Sequence, residues 1–261
     1  MPPALRRAQI LQRIQRDGGV SVADLARDHD VSAVTVHRDL EELSREGLVE
    51  RVHGGARSLV AATTLPTGWT QRVEQARGAK AAIAAYAVRY VGPRATIFLD
   101  ASSTALALAR RLVEDPPNEL TLVTNSPAIA YELHADAIHV IVVPGELDQH
   151  MRIIAGRWAV EFLSGLNFDV AFLSAAGISL EHGLTTARRP LADVVNAARA
   201  AAERSVGLID ASKFGRASLL SIARAQELDA IVTDAELPAE VAREYLAAGV
   251  RLEIANAQEG T

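Results

Sequence analysis

Short apolar runs alternate with helical patterns from residue 95 to residue 255, and no other feature of the chain restricts its fold as strongly. Runs that are apolar throughout are typical of strands buried on both faces, and strands that alternate with helices form mainly parallel sheets. The seven runs are residues 95–100, 120–125, 139–144, 170–177, 206–210, 230–234 and 251–255. The pattern therefore predicts an α/β domain with a mainly parallel sheet.

Small, polar or hydrogen-bonding residues follow five of these predicted strands. They are Asp100, Ser102, Ser103 and Thr104, then Thr124 and Asn125, then Gly145 and Glu146, then Gly177, and finally Lys213. Because the carboxyl ends of parallel strands converge, ligands of open α/β sheets bind in the crevice at that edge. Caps and turns use the same residue types, so each position alone has an equally good structural explanation. The coincidence of five such positions favours a ligand pocket.

Two details of these strand ends suit an anion such as phosphate. Residues 102–104 lie at the start of a predicted helix, where hydroxyls and unpaired N–H groups attract negative charge. The stretch LIDASKFG at 208–215 contains Lys213, one of two lysines in a chain that otherwise uses arginine; the other, Lys80, lies on a predicted helix and has no assigned ligand role. A compact ammonium on a flexible stem suits a phosphate, whereas arginine would bring a rigid planar fork.

The first 57 residues have a different pattern, that of three short helices. Residues 6–17 carry an apolar stripe that includes Ile10 and Ile14, as expected for one face of a helix. Ser21 and Ser32 are placed to cap the second and third helices. Three helices in this order, with tight turns between them, are typical of a helix-turn-helix module.

The third predicted helix has a polar outer face that suits DNA. Val34, Arg38 and Glu41 point away from its apolar face, given about 100° of rotation per residue. Such a helix fits the major groove, and an arginine can bond the O6 and N7 atoms of guanine. The predicted DNA-contacting residues are Ser32, Thr35, His37, Arg38, Arg51 and His53. A three-helix bundle with solvated charges is the alternative; it fits each residue singly but fits the complete order of elements less well.

Residues 48–55 predict a hairpin wing after the third helix. Side chains alternate from Leu48 to His53, and a turn follows at Gly54 and Gly55. This alternation is typical of a short strand before a glycine turn. The wing would place Arg51 and His53 near the DNA phosphates.

Charge and composition narrow the class of protein. The net charge is −5, and residues 1–57 contain nine arginines and nine acidic residues, so residues 58–261 carry the whole excess. This asymmetry is compatible with DNA binding, which still requires a locally basic face. The absence of cysteine excludes disulfides and thiolate metal sites. Neither a membrane span nor a secretion signal is indicated, so we expect a cytoplasmic protein without metal or cofactor.

These patterns predict three segments. Residues 1–57 are expected to form a winged helix-turn-helix domain, and residues 58–73 a linker, because Thr, Pro and Gly interrupt every period there. Residues 74–256 are expected to form a larger, Rossmann-like α/β domain. Its first helix is predicted over 74–90, and a later alanine-rich helix over 192–204.

Several motifs resemble those of DeoR-type transcriptional regulators. VSAVTVHRDLEELSREGLVERVHGGA, at 31–56, is similar to the family pattern V-S-x-x-T-I-R-R-D-L followed by H-G-G-A, with His37 in place of the usual Arg. The family's D-x-G-T-T and T-N match residues 100–104 and 124–125, and its D-x-S-K-F-G is intact at 210–215. The resemblance extends from about residue 6 to about residue 234.

The resemblance implies a DNA-binding regulator, a repressor of a carbohydrate-catabolism operon. Its second domain would have the sugar-phosphate isomerase fold and bind a phosphorylated sugar or sugar-like effector. Phosphate is then expected at residues 102–104 and at Lys213, and sugar hydroxyls at Asp100, Asn125 and Glu146. The implied partners are a double-stranded DNA operator, the effector and a homo-oligomer, either dimer or tetramer.

Two other functions fit the same chain. An isomerase with an added DNA-binding domain needs a carboxylate base and a stabiliser for the enediolate. Asp100, Glu146, Asp169 and Lys213 are available for those roles, but they form no recognisable catalytic motif. An α/β domain used only for oligomerisation would bind no ligand. The regulator is the favoured interpretation, with no catalytic residue assigned.

Overall fold

The computed structural model describes residues 2–17, 19–45, 48–52, 54–58, 68–149 and 151–256. The chain divides into two compact units, Met1–Leu65 and Pro66–Thr261. His53 and most of the predicted linker lie outside the described residues.

The N-terminal unit contains the three predicted helices and a small sheet. Its elements are α1 (Pro3–Asp17), β1 (Gly19–Ser21), α2 (Val22–His29), α3 (Ala33–Arg45), β2 (Val49–Val52) and β3 (Gly55–Ser58). Its core residues include Ile10, Ile14, Leu25, Val36, Leu40 and Leu43. The apolar stripes that predict the helices are therefore the faces that pack together.

Two serines begin helices as expected. The Ser21 Oγ accepts a hydrogen bond from the Asp24 N–H at 3.1 Å, and the Ser32 Oγ accepts one from the Thr35 N–H at 3.2 Å. Each bond pairs an N–H group that the helix leaves without a partner. The cap residues therefore fix where α2 and α3 start.

The wing is part of a three-stranded sheet in the order β1–β3–β2. Strand β1 is not predicted by the sequence, because three residues are too few to show alternation. It pairs with β3 so closely that a Cβ on Gly55 would lie 2.2 Å from the carbonyl oxygen of Val20. Only glycine fits at that point, and this explains one of the two glycines at the turn.

The C-terminal unit is built on a seven-stranded parallel sheet. Its strands are β4 (Thr96–Leu99), β5 (Leu120–Thr124), β6 (Ile138–Val142), β9 (Phe168–Leu173), β12 (Ala202–Leu208), β14 (Ala230–Asp234) and β15 (Leu252–Ala255). They lie in the order β15–β14–β12–β9–β4–β5–β6, and every neighbouring pair is parallel. Each strand coincides with one of the seven apolar runs, so the predicted α/β class is confirmed.

Helices cover both faces of this sheet. They are α4 (Trp69–Glu74), α5 (Arg77–Ala87), α6 (Ser103–Glu114), α7 (Pro127–Glu132), α8 (Arg157–Ser164), α9 (Arg189–Ala200) and α10 (Ala239–Ala247). Consecutive residues of β4 face opposite sides: Ile97 and Leu99 pack with α5 and α6, and Phe98 packs with α8 and α9. The inner strands β4, β5 and β14 are buried on both faces, which is why they are mostly apolar, whereas the edge strands β6 and β15 keep exposed residues.

Short strands extend from the large sheet. They are the pair β7 (Glu146–Asp148) and β8 (Ile153–Ala155), and the sheet of β10 (Gly177–Ser179), β11 (Gly183–Thr186) and β13 (Leu220–Ala223). The Ile154 N–H donates to the Asn125 carbonyl at 2.8 Å, so the β7–β8 hairpin lies against the carboxyl end of β5. The sequence predicts loops here, because each strand has only three or four residues.

Three predicted boundaries are wrong. The segment from Trp69 belongs to the C-terminal unit rather than to a linker, because Trp69 is buried in that unit's core. The helix expected over 74–90 is divided at Ala76, whose backbone is left-handed with φ of 52°, into α4 and α5. The helix expected over 192–204 begins earlier and ends at Ala200, since residues from Ala202 enter β12.

No helix in the described part of the chain is long and apolar enough to cross a membrane.

Candidate functional site

The outer face of α3 is exposed along its length. Val34 is 75% exposed, and Arg38 and Glu41 are also exposed. A cleft of about 270 Å³ between α1 and α3 is lined by residues that include Arg7, Thr35 and Arg38. The face is therefore open to a partner and carries cationic side chains at its edge.

Ser32 and Thr35, at the start of α3, are hydrogen-bonded to each other. The Ser32 and Thr35 hydroxyls lie 3.0 Å apart, and Ser32 also accepts the Thr35 N–H. Ser32 is exposed and Thr35 is half-buried. Both lie at the helix N-terminus, where N–H groups and hydroxyls can bind a phosphate oxygen.

The wing and the third helix are joined by a direct contact that the sequence does not suggest. The Arg51 guanidinium donates to the His37 carbonyl at 3.2 Å and lies 2.7 Å from His37 Nδ1. His37 stands where the family has Arg, and it orients the wing arginine. The other predicted wing residue, His53, lies outside the described residues.

A buried ion pair holds α1 against α3. The Arg6 Nε lies 2.5 Å from Asp39 Oδ2, a second guanidinium nitrogen donates to Oδ1 at 3.3 Å, and both side chains are buried. The hydrogen bond to Asp39 raises the pKa of Arg6. Asp39 is therefore structural, and it fixes the helix turn that presents its neighbour Arg38.

The five predicted strand ends lie at one edge of the C-terminal unit. Strands β12, β9, β4, β5 and β6 are consecutive and parallel, so their carboxyl ends open on the same side. The structure brings Asp100, residues 102–104, Asn125 and Lys213 to this edge. We call the space between them the strand-end crevice.

Asp100 is buried and accepts three hydrogen bonds. The Ser102 N–H donates to Oδ1 at 3.1 Å, and the N–H and hydroxyl of Ser174 each donate to Oδ2 at 2.7 Å. Burial raises the pKa of Asp100, and these hydrogen bonds oppose that effect. Ser174, which no sequence motif marks, ties the end of β9 to the end of β4.

Residues 102–104 begin α6. The Ser102 hydroxyl accepts the Ala105 N–H at 2.9 Å and caps the helix. Ser102 and Ser103 are half-buried, whereas Thr104 is buried in the unit. The predicted phosphate residues therefore form a helix N-terminus, and Ser103 is the partly exposed member that does not cap the helix.

Thr124 and Asn125 end β5 and differ in what they can bind. The Thr124 hydroxyl donates to the Leu99 carbonyl at 2.8 Å and accepts the Ser126 N–H at 3.0 Å, which is a structural role. Asn125 donates its amide N–H to the Ile154 carbonyl at 3.1 Å. Its Oδ1 is buried and has no hydrogen-bond partner among the described residues.

Three further predicted residues offer no side chain to the crevice: two are glycines that allow close backbone packing, and the third, Glu146, faces solvent. A Cβ on Gly145, whose φ is 153°, would lie 2.5 Å from the Ala155 carbonyl, and one on Gly177 would lie 2.6 Å from the Arg216 carbonyl. Both positions therefore require glycine for close packing. The side chain of Glu146 is exposed at the start of β7.

Lys213 lies on a rigid loop after β12. The Asp210 carboxylate accepts the Ser212 N–H and hydroxyl, and the Ala211 N–H donates to Asp234 at 2.8 Å. Phe214 packs edge-on against Tyr245, with ring centroids 5.0 Å apart. These contacts fix the backbone on both sides of the half-buried Lys213.

Three cationic residues near the crevice are missed by the sequence analysis. Arg72 falls in the predicted linker, Lys80 has no assigned role, and Arg188 immediately precedes α9. Arg188 lies 3.8 Å from Asp148 of the β7–β8 hairpin. The rarity of lysine is the only signal that could have drawn attention to Lys80.

Two observations concern the opposite edge of the sheet. Asp169 lies at the amino end of β9, where it accepts the Thr96 N–H at 2.7 Å. A broad surface depression of about 710 Å³ lies at the amino ends of β5 and β6 and is lined by residues that include Arg94, Glu119 and His139. Its volume lies within the range of small-ligand pockets, roughly 300–1,000 Å³, but none of the predicted effector residues lines it.

Comparison with protein families gives two matches. Residues 6–61 match the DeoR-like helix-turn-helix domain, and residues 75–235 match the DeoR C-terminal sensor domain. The second match alone spans more than half of the chain. This chain belongs to the DeoR family of DNA-binding transcriptional regulators.

Curated DeoR-type relatives align along nearly the whole chain. HTH-type transcriptional regulator GlpR of Haloferax volcanii is 34% identical over 96% of this chain and 97% of its own. HTH-type transcriptional regulator GolR of Listeria innocua is 31% identical over 98% and 100%, and transcriptional repressor AccR of Agrobacterium fabrum is 32% identical over 88% of each. The chain is therefore similar to regulators in both of its units.

Among solved structures, the ribose 5-phosphate isomerase of Plasmodium falciparum covers 52% of this chain and 52% of its own, with 17% identity and a TM-score of 0.38. A likeness at this level carries no argument about ligand or reaction.

Proposed function

We propose that this DeoR-family regulator is a repressor of a carbohydrate-catabolism operon, and that a phosphorylated sugar or sugar-like intermediate in the strand-end crevice releases it from DNA. The active form is a homo-oligomer, a dimer or tetramer, in which paired α3 helices contact two half-sites. Effector binding must differ in free energy between the bound and released states, since otherwise it shifts nothing.

The observation that carries the effector proposal is the Asn125 Oδ1 atom. It is buried at the carboxyl end of β5 and has no partner among the described residues. A buried acceptor without a donor costs about 1–3 kcal/mol. A sugar hydroxyl would donate to it, while the Asn125 amide remains anchored to Ile154.

The charge at the same edge supports a phosphorylated ligand. Lys213 takes part in none of the ion pairs found among the described residues, although it lies on a fixed loop. The N-terminus of α6 supplies N–H groups and the Ser103 hydroxyl. A phosphate would pair with both, in the manner of other helix N-termini at α/β strand ends.

The DNA proposal rests on the geometry of α3 and the wing. Arg38 is exposed in the middle of the helix, where it can bond a guanine edge. Arg51, held by His37, is the wing cation for a phosphate, with Ser32 and Thr35 at the helix start as further phosphate contacts. His53 stays a prediction from the sequence.

A role as an isomerase is disfavoured by the carboxylates. Asp100 accepts three hydrogen bonds, Glu146 is exposed, and Asp169 lies at the opposite edge of the sheet. We expect no sustained turnover when the protein is incubated with pentose and hexose phosphates. Turnover that is lost in Asp100→Asn would replace the sensor proposal with an enzymatic one.

A thermal-shift screen tests the effector proposal. A phosphorylated sugar at about 100 times its dissociation constant adds roughly 2.7 kcal/mol to the free energy of unfolding, and the unphosphorylated sugar is expected to add much less. Lys213→Ala should remove the shift. Arg216→Ala, which removes an exposed cation from the same loop, should leave it unchanged. An equal shift in both variants would exclude Lys213 from the site.

A further inference from the structure

Besides the segments that carry Lys213 and Arg188, a segment at the beginning of the C-terminal unit brings cations to the strand-end crevice. Arg72 lies on α4, and Lys80 is buried on α5. Burial lowers the pKa of Lys80, and the charges of Lys213 and Arg72 lower it further, while Asp210 opposes them. The Lys80 ammonium donates to the Arg72 carbonyl, and α5 packs against β12, the strand that precedes Lys213, so the three cations lie in one region.

These three positive charges have no acidic partner in direct contact. None of the ion pairs among the described residues includes Arg72, Lys80 or Lys213. Asp100 and Asp210, whose charges act on Arg72 and Lys80, form no ion pair with them among the described residues and accept hydrogen bonds from Ser102, Ser174 and Ser212. Burial of a cation costs free energy, and the charges of Asp100 and Asp210 offset only part of that cost for Arg72 and Lys80. An anion that joined the site would offset more of it.

Arg72 is held by its two terminal nitrogens, and its third nitrogen is unpaired within the described part of the chain. Its guanidinium donates to the Met151 carbonyl at 3.3 Å, approaches the Met151 sulfur at 3.6 Å, and lies 5.5 Å from the centre of the Trp69 ring. Its Nε is buried and has no hydrogen-bond partner among the described residues. A guanidinium fixed by its terminal nitrogens, with an unpaired Nε–H, is prepared for one more acceptor.

Lys80 holds the backbone from which Arg72 projects. Its ammonium donates to the carbonyls of Arg72 and Gln75, which are the last turn of α4 and its cap. This capping role explains two of the three N–H groups of the ammonium. It does not explain why a full positive charge is buried beside two other cations, where a neutral donor would cap the helix at less cost.

We propose that Arg72, with Lys80 behind it, completes an anion receptor with Lys213 that takes a dianionic phosphate group. Arg72 is the contact residue through its Nε–H, and Lys80 is a positioning residue that also supplies charge. The inference rests on the proposed effector function and extends it. The ligand's phosphate would then be bound by α4, the first described element after residues 59–67.

Inorganic phosphate is the probe for this receptor, because the sugar is unidentified. Phosphorus NMR titrations of the full chain, at constant ionic strength set with chloride, give the affinity. We expect Arg72→Gln to weaken phosphate binding by about tenfold or more, the loss expected for a charge-assisted hydrogen bond. Arg72→Lys, which keeps the charge but loses the fork, should fall between that variant and the wild type.

The matched control is Arg77→Gln. Arg77 lies on the same segment, is exposed, and only approaches Glu74 at 4.0 Å, so its loss removes the same charge without touching the crevice. Phosphate affinity should change by less than about twofold, since exposed charges are screened. An unchanged melting temperature shows that the Arg72→Gln variant is folded. Lys80→Met also removes the bonds that cap α4, so its phosphate affinity is compared only with that of Arg72→Gln.

The outcomes separate this inference from the effector proposal. If Lys213→Ala weakens phosphate binding but Arg72→Gln matches Arg77→Gln, the receptor does not include Arg72 and the effector proposal stands. If Arg72→Gln weakens binding and Lys213→Ala does not, the joint receptor of Arg72 and Lys213 is overturned. If the wild-type chain shows no saturable phosphate binding, or binds it equally in every variant, the receptor is overturned, and the thermal-shift screen with phosphorylated sugars decides the effector proposal.

Discussion

Arg38 and Asp39 are neighbours on α3 that differ in burial. Arg38 is exposed, and Asp39 turns inward to a buried ion pair with Arg6. The sequence predicts both placements, because helical periodicity puts one residue on the outer face and the other beside the packed face. It does not predict the partner of Asp39, which lies 33 residues away, nor the contact between Arg51 and His37, because neither has a local pattern.

Arg38→Ala should weaken binding to the operator and relax the base preference at one position. The expected loss is about 1–3 kcal/mol if Arg38 bonds a guanine. Fluorescence anisotropy with matched and substituted duplexes measures it. Arg45→Ala removes an exposed cation from the far end of the same helix. It should weaken binding to matched and substituted duplexes by the same amount. Equal, sequence-independent losses in the two variants would mean that Arg38 reads no base.

Asp39→Asn should destabilise the N-terminal unit strongly. The variant removes the negative charge that pairs with the buried Arg6 guanidinium, and breaking one side of a buried pair costs about 3–5 kcal/mol. Glu41→Gln, an exposed change on the same helix, should stay within about 0.5 kcal/mol. Thermal unfolding of the full chain, followed by far-ultraviolet circular dichroism, compares them. A small effect of Asp39→Asn would show that the pair is dispensable.

At the scale of elements, the parallel strands are predictable and the small ones are not. Seven apolar runs predict the seven strands, because strands that are buried on both faces are mostly apolar. The β7–β8 hairpin has three residues per strand and partly exposed side chains, so nothing distinguishes it from a loop. Arg72 is missed for a related reason: α4 has six residues, and the Thr, Pro and Gly before it dominate the local pattern.

Gly145→Ala tests whether the hairpin supports the crevice. The new Cβ would lie 2.5 Å from the Ala155 carbonyl, and the backbone φ of 153° is strained for any other residue. We expect a lower melting temperature and weaker phosphate binding, because Met151 between the two strands contacts Arg72.

Gly78→Ala is the matched control for that change. It adds the same methyl group inside α5, where nothing lies within 4 Å, and should stabilise the unit by about 0.5–1 kcal/mol. If Gly145→Ala keeps the melting temperature and phosphate affinity as well as Gly78→Ala does, the β7–β8 hairpin does not support the crevice.

At the scale of the whole molecule, the chain joins a neutral, arginine-rich DNA-binding unit to an acidic α/β unit. Residues 1–57 have no net charge, so the affinity for DNA depends on where the arginines lie rather than on their excess. The family follows from motifs in both units. The identity of the effector does not, because Asn125, Lys213 and Arg72 define its chemistry and not its carbon skeleton.

The central claim is that one crevice binds a phosphorylated sugar and thereby releases DNA. The direct measurement is the anisotropy of a labelled duplex, obtained by in vitro selection with the full chain, during titration with phosphorylated sugars and with the same sugars unphosphorylated. The account predicts that at least one phosphorylated sugar releases the duplex, that its free sugar does not, and that Lys213→Ala binds the duplex normally but is not released. Release by free and phosphorylated sugars alike, or an unimpaired response of Lys213→Ala, would contradict it.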